Sequence, residues 1–143
     1  CPAYAIESEE FTNDQIAGQI TDQVAGQTVG TAKKDPVVIF ACERSAALAA
    51  DKMVLPENTR LIPLPCACRI SGDMILKAMI NGASKVIVSG CHEGNCRSME
   101  GSTTARLEVD AIAKLPGMPP GNIVWKPVAA NEPRKFESIL TKV

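Results

Sequence analysis

The sequence predicts an α/β fold in which helices cover both faces of one parallel sheet. Four short runs rich in β-branched residues have the length of buried strands. Segments with helical spacing of apolar residues separate these runs along the chain. Because parallel neighbours are joined by crossover helices, this alternation indicates right-handed βαβ units. We therefore expect a small doubly wound, flavodoxin-like sheet of four strands in the order 2-1-3-4.

The four strands are the most clearly marked elements. They are predicted over Pro36–Ala41, Thr59–Pro65, Lys85–Ser89 and Asn122–Lys126. The third run is the most regular of them. Two prolines fall in the second run, at positions 63 and 65, and each lacks the backbone N–H that a full ladder would use.

The helices are predicted from their boundary signals. Thr12 and Gln15 form a capping box, and Ile16, Ile20 and Val24 recur every four residues after it. These positions indicate an amphipathic helix from residue 13 to about residue 25, followed by a polar linker over residues 26–34. Later helices are predicted over residues 45–53, from residue 71 to the Asn-Gly pair at 81–82, and over residues 103–115 and 133–142.

The composition excludes several functional classes. The 143-residue chain carries 15 basic and 16 acidic side chains, so it has no general attraction to nucleic acid or anionic lipid. Aromatic residues are scarce, which argues against base stacking. No apolar run approaches the ~20 residues that span a bilayer. We expect no nucleic-acid partner, no direct membrane insertion, and a cytoplasmic location that leaves association with a membrane-bound complex open.

Five of the six cysteines follow predicted strands. Cys42 comes directly after the first strand, Cys66 and Cys68 after the second, and Cys91 and Cys96 after the third. The carboxyl ends of parallel strands meet at one edge of a sheet, where ligands of open α/β folds bind. Cysteines that only fill a core would be scattered along strands and helix faces. A disulfide framework has little support without a secretion signal. The pattern favours a thiolate metal site or thiol redox chemistry.

The spacing of the cysteines favours iron–sulfur over zinc but leaves zinc open. Structural zinc usually takes Cys-x2–4-Cys pairs, for which Cys66-x-Cys68 is too tight and Cys91-x4-Cys96 lies at the upper limit. A Cys-x4-Cys spacing also occurs in plant-type two-iron sites. The first βα turn reads Cys-Glu-Arg-Ser, with Ser45 where a dithiol exchanger would carry its second cysteine.

Other polar residues are expected at the same edge. His92 is the only histidine and is expected to make a loop hydrogen bond, since a Rieske-type iron would need two histidines. Arg44, Arg69 and Arg97 also follow strands, as surface residues or as charges that offset a thiolate cluster. Glu132, in the loop after the fourth strand, is a further candidate for this edge.

The first two residues indicate a second, upstream unit. Cys1-Pro2 matches the last two positions of the bacterial ferredoxin pattern C-x2-C-x2-C-x3-C-P, and the chain does not begin with Met. We therefore expect residues 1–34 to comprise a ferredoxin tail, a helix and a linker from an upstream domain. Residues 35–143 would then form the α/β domain, and Cys1 would be dispensable for its site.

Four segments resemble the iron–sulfur delta subunit family of methyl-viologen-reducing hydrogenases. They are Phe40-Ala-Cys42, Cys66-Ala-Cys-Arg69, the helix from Asp73 to Ala83, and the loop Gly90-Cys-His-Glu-Gly-Asn-Cys96. The loop is the most specific of these. The stretch from Cys1 to Gln15 resembles the ferredoxin tail of the heterodisulfide reductase A protein. A tail that continues into a delta-like domain is the layout of fused reductase A proteins, as in the B component of quinone-interacting membrane-bound oxidoreductases.

The resemblance implies a 2Fe-2S cluster that relays single electrons and performs no bond chemistry. Its electrons would pass between partner redox subunits of a heterodisulfide reductase- or hydrogenase-like complex and a heterodisulfide reductase A-like module. FAD and 4Fe-4S clusters are expected only in that upstream module. The family's ligand positions correspond to Cys42, Cys66, Cys91 and Cys96.

Two positions depart from the family pattern. Ser45 stands where relatives have a cysteine, and Cys68 stands where they have a small residue. Cys68 is therefore included among the cofactor-binding candidates as a substitute ligand. The same departures support an alternative function, a docking domain of the same redox complex that is cluster-less or stabilised by zinc.

Overall fold

The computed structural model describes residues 11–28 and 35–141. Cys1, the ferredoxin-like tail and residues 29–34 of the predicted linker lie outside them. The elements in chain order are α1 (Asn13–Thr28), β1 (Val37–Cys42), α2 (Ala46–Ala50), β2 (Thr59–Leu64), a 3-10 turn (Ala67–Arg69), α3 (Gly72–Ile80), β3 (Lys85–Ser89), α4 (Gly101–Ala113), β4 (Ile123–Trp125) and α5 (Pro133–Thr141). None of these helices has the length and apolar content needed to cross a bilayer.

The sheet has the predicted topology. Its four strands are all parallel and lie in the order β2-β1-β3-β4. The β1–β2 ladder runs from Val37 opposite Thr59 to Cys42 opposite Leu64 and continues through Pro63. A proline is compatible with this ladder because β2 is an edge strand, which needs N–H donors on one side only.

Helices pack on both faces of the sheet, as predicted. Alternate residues of β1 point to opposite faces, so Val38 and Phe40 pack with α1, α3 and α4 whereas Val37 and Ile39 pack with α2 and α5. All six residues of β1 are buried. The central strand therefore separates two apolar cores, and its carboxyl end leads directly to Cys42.

Helix α1 is part of the first of these cores. The predicted capping box is present, because Thr12 N donates to Gln15 Oε1 at 2.9 Å and Gln15 N donates to Thr12 Oγ1 at 3.1 Å. Ile16, Ile20 and Val24 are at most 1% exposed and belong to the cluster around Phe40. Residues that precede position 35 thus help to close one face of the sheet.

Three local features near the cysteines differ from the sequence predictions. Helix α2 covers only Ala46–Ala50, because i→i+3 bonds from Lys52 and Met53 turn the chain away towards β2. Helix α4 begins at Gly101, two residues before the predicted start. The 3-10 turn at Ala67–Arg69 was not predicted, since a segment of three residues is too short to show a helical period. The last two of these differences lie at the carboxyl edge, where the cysteine loops meet.

Candidate functional site

Loops at the carboxyl ends of β1, β2 and β3 bring five cysteines together. Cys42 ends β1, Cys66 and Cys68 lie at the 3-10 turn after β2, and Cys91 and Cys96 lie in the loop between β3 and α4. Within the described residues all five are free thiols, with Cys42 buried, Cys68 exposed and the others half-buried. The structure therefore places all five of these cysteines at the predicted edge of the sheet.

Cys42 and Cys91 form a first pair of neighbouring sulfurs. Burial is the main cause that raises the pKa of the Cys91 thiol above its ordinary value. The nearby charges of Cys42 and Cys96 act in the same direction, while the Ser45 hydroxyl opposes them. The first pair is thus the more deeply placed one, where the end of β1 meets the loop after β3.

Cys66 and Cys96 form a second pair against the start of α4. A Cβ atom added to Gly101 would lie 2.9 Å from Cys66 Sγ and 3.1 Å from Cys96 Sγ. Burial alone would raise the pKa of the Cys96 thiol. The net shift is downward, because nearby hydrogen-bond donors lower the pKa by more; these donors are the Ser102 hydroxyl, the backbone N–H groups of Ser98 and Ser102, and Cys66. Of the five cysteines in the described part of the chain, Cys96 therefore has the surroundings that favour a thiolate most clearly.

Cys68 lies beside the second pair. Desolvation of its sulfur, and then the neighbouring Cys66 and Cys96, raise the pKa of this thiol to about 11. Its surroundings therefore keep Cys68 protonated at neutral pH, unlike those of Cys96.

The five cysteines form one connected group at this edge. Cys91 neighbours both Cys42 and Cys96, and Cys96 also neighbours Cys66 and Cys68. Among the described residues, no three Cys, His, Asp or Glu side chains are arranged to hold a metal ion. Tetrahedral zinc needs all four sulfurs about 2.3 Å from a single centre. A two-iron cluster instead takes two thiolates on each iron. The described cysteines therefore do not form a ready-made tetrahedral zinc site, while their number is sufficient for the four thiolates of either kind of group.

Two buried serine hydroxyls lie next to these pairs. Ser45 and Ser102 are 2% and 1% exposed, and neither hydroxyl meets hydrogen-bond geometry with a partner in residues 11–28 and 35–141. Ser45 neighbours Cys91 and Ser102 neighbours Cys96. A buried donor without an acceptor is costly, whereas thiolate or sulfide sulfur would accept from it. The donor set therefore fits an anionic, thiolate-bound group. Sequence reasoning noticed Ser45 but missed Ser102, which carries no motif signal.

A hydrogen-bonded cluster holds the loop that carries Cys91. His92 Nε2 and Glu132 Oε2 are 2.7 Å apart, and the same carboxylate oxygen accepts from Ala129 N at 2.9 Å. Lys135 Nζ lies 3.5 Å from Glu132 Oε2. The Ala129 N–H, followed by His92 and Lys135, lowers the pKa of Glu132 to about 2. His92 therefore makes the predicted loop hydrogen bond, and Glu132 lies at the predicted edge.

Arg69 links the cysteine edge to the start of α1. Its guanidinium donates to Asn13 Oδ1 at 2.6 Å and to Phe11 O at 3.4 Å. Arg44 and Arg97 are exposed at the same edge. Of the three arginines, Arg69 is thus a structural link between the turn that carries Cys68 and the N-terminal helix.

Gly90 permits close packing under the Cys91 loop. A Cβ atom at Gly90 would lie 2.7 Å from Ala67 Cβ and 2.8 Å from Cη2 of Trp125. The backbone of Gly90 therefore packs directly against the indole ring and against the 3-10 turn. The close approach brings the loops after β2 and β3 together, which places their cysteines side by side.

A separate cavity of about 620 Å³ lies at the opposite edge of the sheet. It is lined in part by Val37, Thr59, Lys85 and Asn122, which stand at the amino ends of the four strands. No described cysteine lines it, so it is distinct from the site at the carboxyl edge.

Comparison with known proteins gives one family and relatives of two kinds. The family model described as "Methyl-viologen-reducing hydrogenase, delta subunit" matches residues 37–143. The iron-sulfur protein of the F420-non-reducing hydrogenase of Archaeoglobus profundus, its D component, is 30% identical over 114 residues. The match covers 74% of this chain and 83% of that protein.

The second kind of relative is a much longer protein. The A component of the ferredoxin:CoB-CoM heterodisulfide reductase of Methanosarcina mazei is 29% identical over 146 residues, which cover 96% of this chain but 18% of that protein. The A component of the ferredoxin/F(420)H(2)-dependent CoB-CoM heterodisulfide reductase of Methanosarcina acetivorans is 26% identical over 140 residues, with coverages of 92% and 17%. This chain therefore spans less than a fifth of either reductase protein.

Both kinds of relative are named as components of oxidoreductases, and the family match includes all four strands and all five described cysteines. The chain belongs to the family of the methyl-viologen-reducing hydrogenase delta subunit.

Proposed function

We propose that this chain is an iron–sulfur electron-transfer domain, which relays electrons within a redox complex and carries out no bond chemistry itself. One observation carries the proposal: two pairs of cysteines, supplied by three loops, meet at the carboxyl edge of the sheet. The family match supports the same conclusion independently.

The residues that would hold a 2Fe-2S cluster are Cys42 with Cys91 and Cys66 with Cys96. When bound, such a cluster accepts and gives up one electron at a time. The chain would supply the rest of the site's function. Gly101 leaves room for the sulfurs of the second pair, Ser45 and Ser102 offer buried hydroxyl donors, and Gly90 brings the loops together. Cys68 is proposed as a neighbour of the cluster and not as its ligand.

The proposed partners are redox subunits of a hydrogenase- or heterodisulfide reductase-like complex. Support comes from relatives whose names describe a hydrogenase iron-sulfur protein and the A components of heterodisulfide reductases. The reductase matches extend over the N-terminal part of this chain, which includes α1. We propose that electrons pass between an adjoining reductase A-like module, which carries FAD and 4Fe-4S clusters, and a separate redox partner.

Metal analysis under anaerobic conditions tests this function. The chain is purified or reconstituted with iron and sulfide, and iron, acid-labile sulfide and zinc are determined on the same sample. We expect about two irons and two sulfides per chain with little zinc, as a 2Fe-2S cluster requires. One zinc per chain, with no iron after reconstitution, would instead identify a zinc-stabilised domain.

A cluster-less docking domain is the second candidate function. The observation that favours it is Ser45, which is buried at a position where the resemblance implies a cysteine. In that case the fold would serve to assemble the redox complex. A chain that binds neither iron nor zinc but still associates with a reductase A-like module would identify this function.

A further inference from the structure

The first turn of α4 lies against the second cysteine pair. It presents hydrogen-bond donors to this pair, and its first residue is a glycine, which has no side chain to separate the two sulfurs from the backbone. Helix α4 has 13 residues and begins at Gly101. The backbone of Gly101 is so near Cys66 and Cys96 that any Cβ atom would press on both sulfurs. Both sulfurs therefore lie close to the positive end of the α4 dipole, where negative charge is stabilised.

A tight turn brings Cys96 back to this helix start. Met99 N donates to Cys96 O at 2.9 Å, and Gly101 N donates to Ser98 O at 3.2 Å. Met99 takes a left-handed conformation with φ +52° to close the turn. The turn holds Cys96 over the beginning of α4.

Ser102 is the independent observation that points to a ligand here. It is the second residue of α4 and 1% exposed, and in the described parts of the chain its hydroxyl has no partner within full hydrogen-bond geometry, although it lies near enough to Cys96 to lower the pKa of that thiol. A buried hydroxyl gains little from a neutral thiol, which is a weak acceptor, and much more from a charged one. Its side chain neighbours Cys96 at the helix start, so a sulfur anion held at this pair would supply the acceptor that the hydroxyl lacks.

We propose that the α4 start is a donor site for the Cys66 and Cys96 sulfurs, and that Ser102 raises the reduction potential of the cluster they hold. This inference rests on the proposed function. Reduction adds one electron and therefore one negative charge to the cluster. An O–H donor aimed at its sulfur stabilises the more negative state more than the less negative one. Ser102 is thus a positioning and tuning residue, and the thiolates remain the ligands.

The test is a potentiometric titration of the reconstituted chain, with dithionite as reductant and iron and sulfide contents as the occupancy measure. Ser102→Ala is expected to keep its iron and sulfide but to become roughly tenfold harder to reduce, which is about 59 mV more negative for one electron. The matched control is Thr104→Ala, which removes an exposed hydroxyl from the same helix and is expected to leave the potential unchanged.

If Ser102→Ala does not incorporate iron and sulfide, a second pair of variants with equal side-chain shape still tests the inference. Ser102→Thr and Ser102→Val add the same branch and differ only in a hydroxyl against a methyl group. The Thr variant should have the higher potential of the two. Equal potentials in loaded Thr and Val variants, or an unchanged potential in loaded Ser102→Ala, would overturn the inference alone. A wild-type chain that binds no iron would instead overturn the proposed function and, with it, this inference.

Discussion

Among single residues, Cys96 has the surroundings most favourable to a thiolate. Burial works against its ionisation, but Ser102, two backbone N–H groups and Cys66 together prevail and lower the pKa of the thiol. Cys68, a neighbour of the same pair, has its pKa raised to about 11. The two thiols therefore differ in their local donors, although both neighbour Cys66.

Replacement of Cys96 tests the ligand assignment. Cys96→Ser is expected to lose the cluster, because a hydroxyl is a far weaker iron ligand than a thiolate. The measurement is iron per chain and visible absorbance after anaerobic reconstitution. Cys91→Ser should behave in the same way. Cys68→Ser and Cys1→Ser serve as controls that keep the cluster. Full occupancy in Cys96→Ser would refute its role as a ligand.

Glu132 gives a prediction about pH. Its carboxylate accepts from Ala129 N and contacts His92, and its pKa falls from 4.5 to about 2 on folding. Since the folded-state pKa is the lower one, the ionised carboxylate stabilises the fold above about pH 4.5, and this contribution is lost as the pH falls towards 2. Glu132→Gln should therefore be less stable than wild type at pH 6, with a difference that shrinks below about pH 5.

Urea unfolding of both proteins across this pH range measures the difference in the free energy of unfolding. A difference that stays constant from pH 6 to about pH 2.5 would show that ionisation of Glu132 does not contribute.

At the residue scale, the positions of the cysteines could be predicted from the sequence, but the hydrogen-bond donors to their sulfurs could not. Cys42, Cys66 and Cys91 could be placed because each follows a readable apolar strand. Ser102 could not, because its burial depends on how closely the Cys66 and Cys96 loops approach α4 in three dimensions.

At the scale of elements, the start of α4 connects helix geometry with the site. The sequence places this start at Thr103, where polar residues resemble an ordinary first turn, whereas the helix begins at Gly101. The N-cap residue Glu100 makes no side-chain cap bond. The helix start therefore has no side-chain cap to mark it in the sequence, and it lies against the sulfurs of Cys66 and Cys96.

Two glycine-to-alanine substitutions are expected to have different effects, one on the stability of a helix and the other on the cysteine site. Gly18→Ala, in α1, meets nothing within 4 Å and should stabilise the protein by about 0.5–1 kcal/mol, as expected for this change inside a helix. Gly101→Ala should instead lower iron content, because its Cβ would displace Cys66 Sγ and Cys96 Sγ. Iron per chain and urea midpoints measure the two effects. Wild-type iron content in Gly101→Ala would contradict the described approach of sulfur to backbone.

Helix α1 shows what sequence patterns reveal about an element and what they leave open. Its capping box and its period of apolar residues were readable and are confirmed. Its packing partner was not, because an amphipathic stripe does not state which surface covers it. In the structure Ile16, Ile20 and Val24 cover the sheet face shared with α3, and Arg69 fastens the helix start beside the cysteine turn.

For the whole molecule, the sheet order explains why the cysteines meet. The order β2-β1-β3-β4 places β1 between β2 and β3, so the three cysteine-bearing loops leave from adjacent strands. This topology followed from the alternation of strands and helices and from the right-handedness of crossovers. The grouping into two pairs did not follow from it, since pairing depends on loop conformations such as the 3-10 turn and the glycine contacts at Gly90 and Gly101.

The two cysteine pairs are proposed to hold one cluster that can take up a single electron. The most direct measurement is the electron paramagnetic resonance spectrum of the anaerobically reconstituted chain before and after dithionite. A 2Fe-2S cluster predicts no signal in the oxidised sample and, after uptake of one electron, about one unpaired spin per chain. A colourless, iron-free protein that gives no signal after reconstitution and dithionite would contradict the claim.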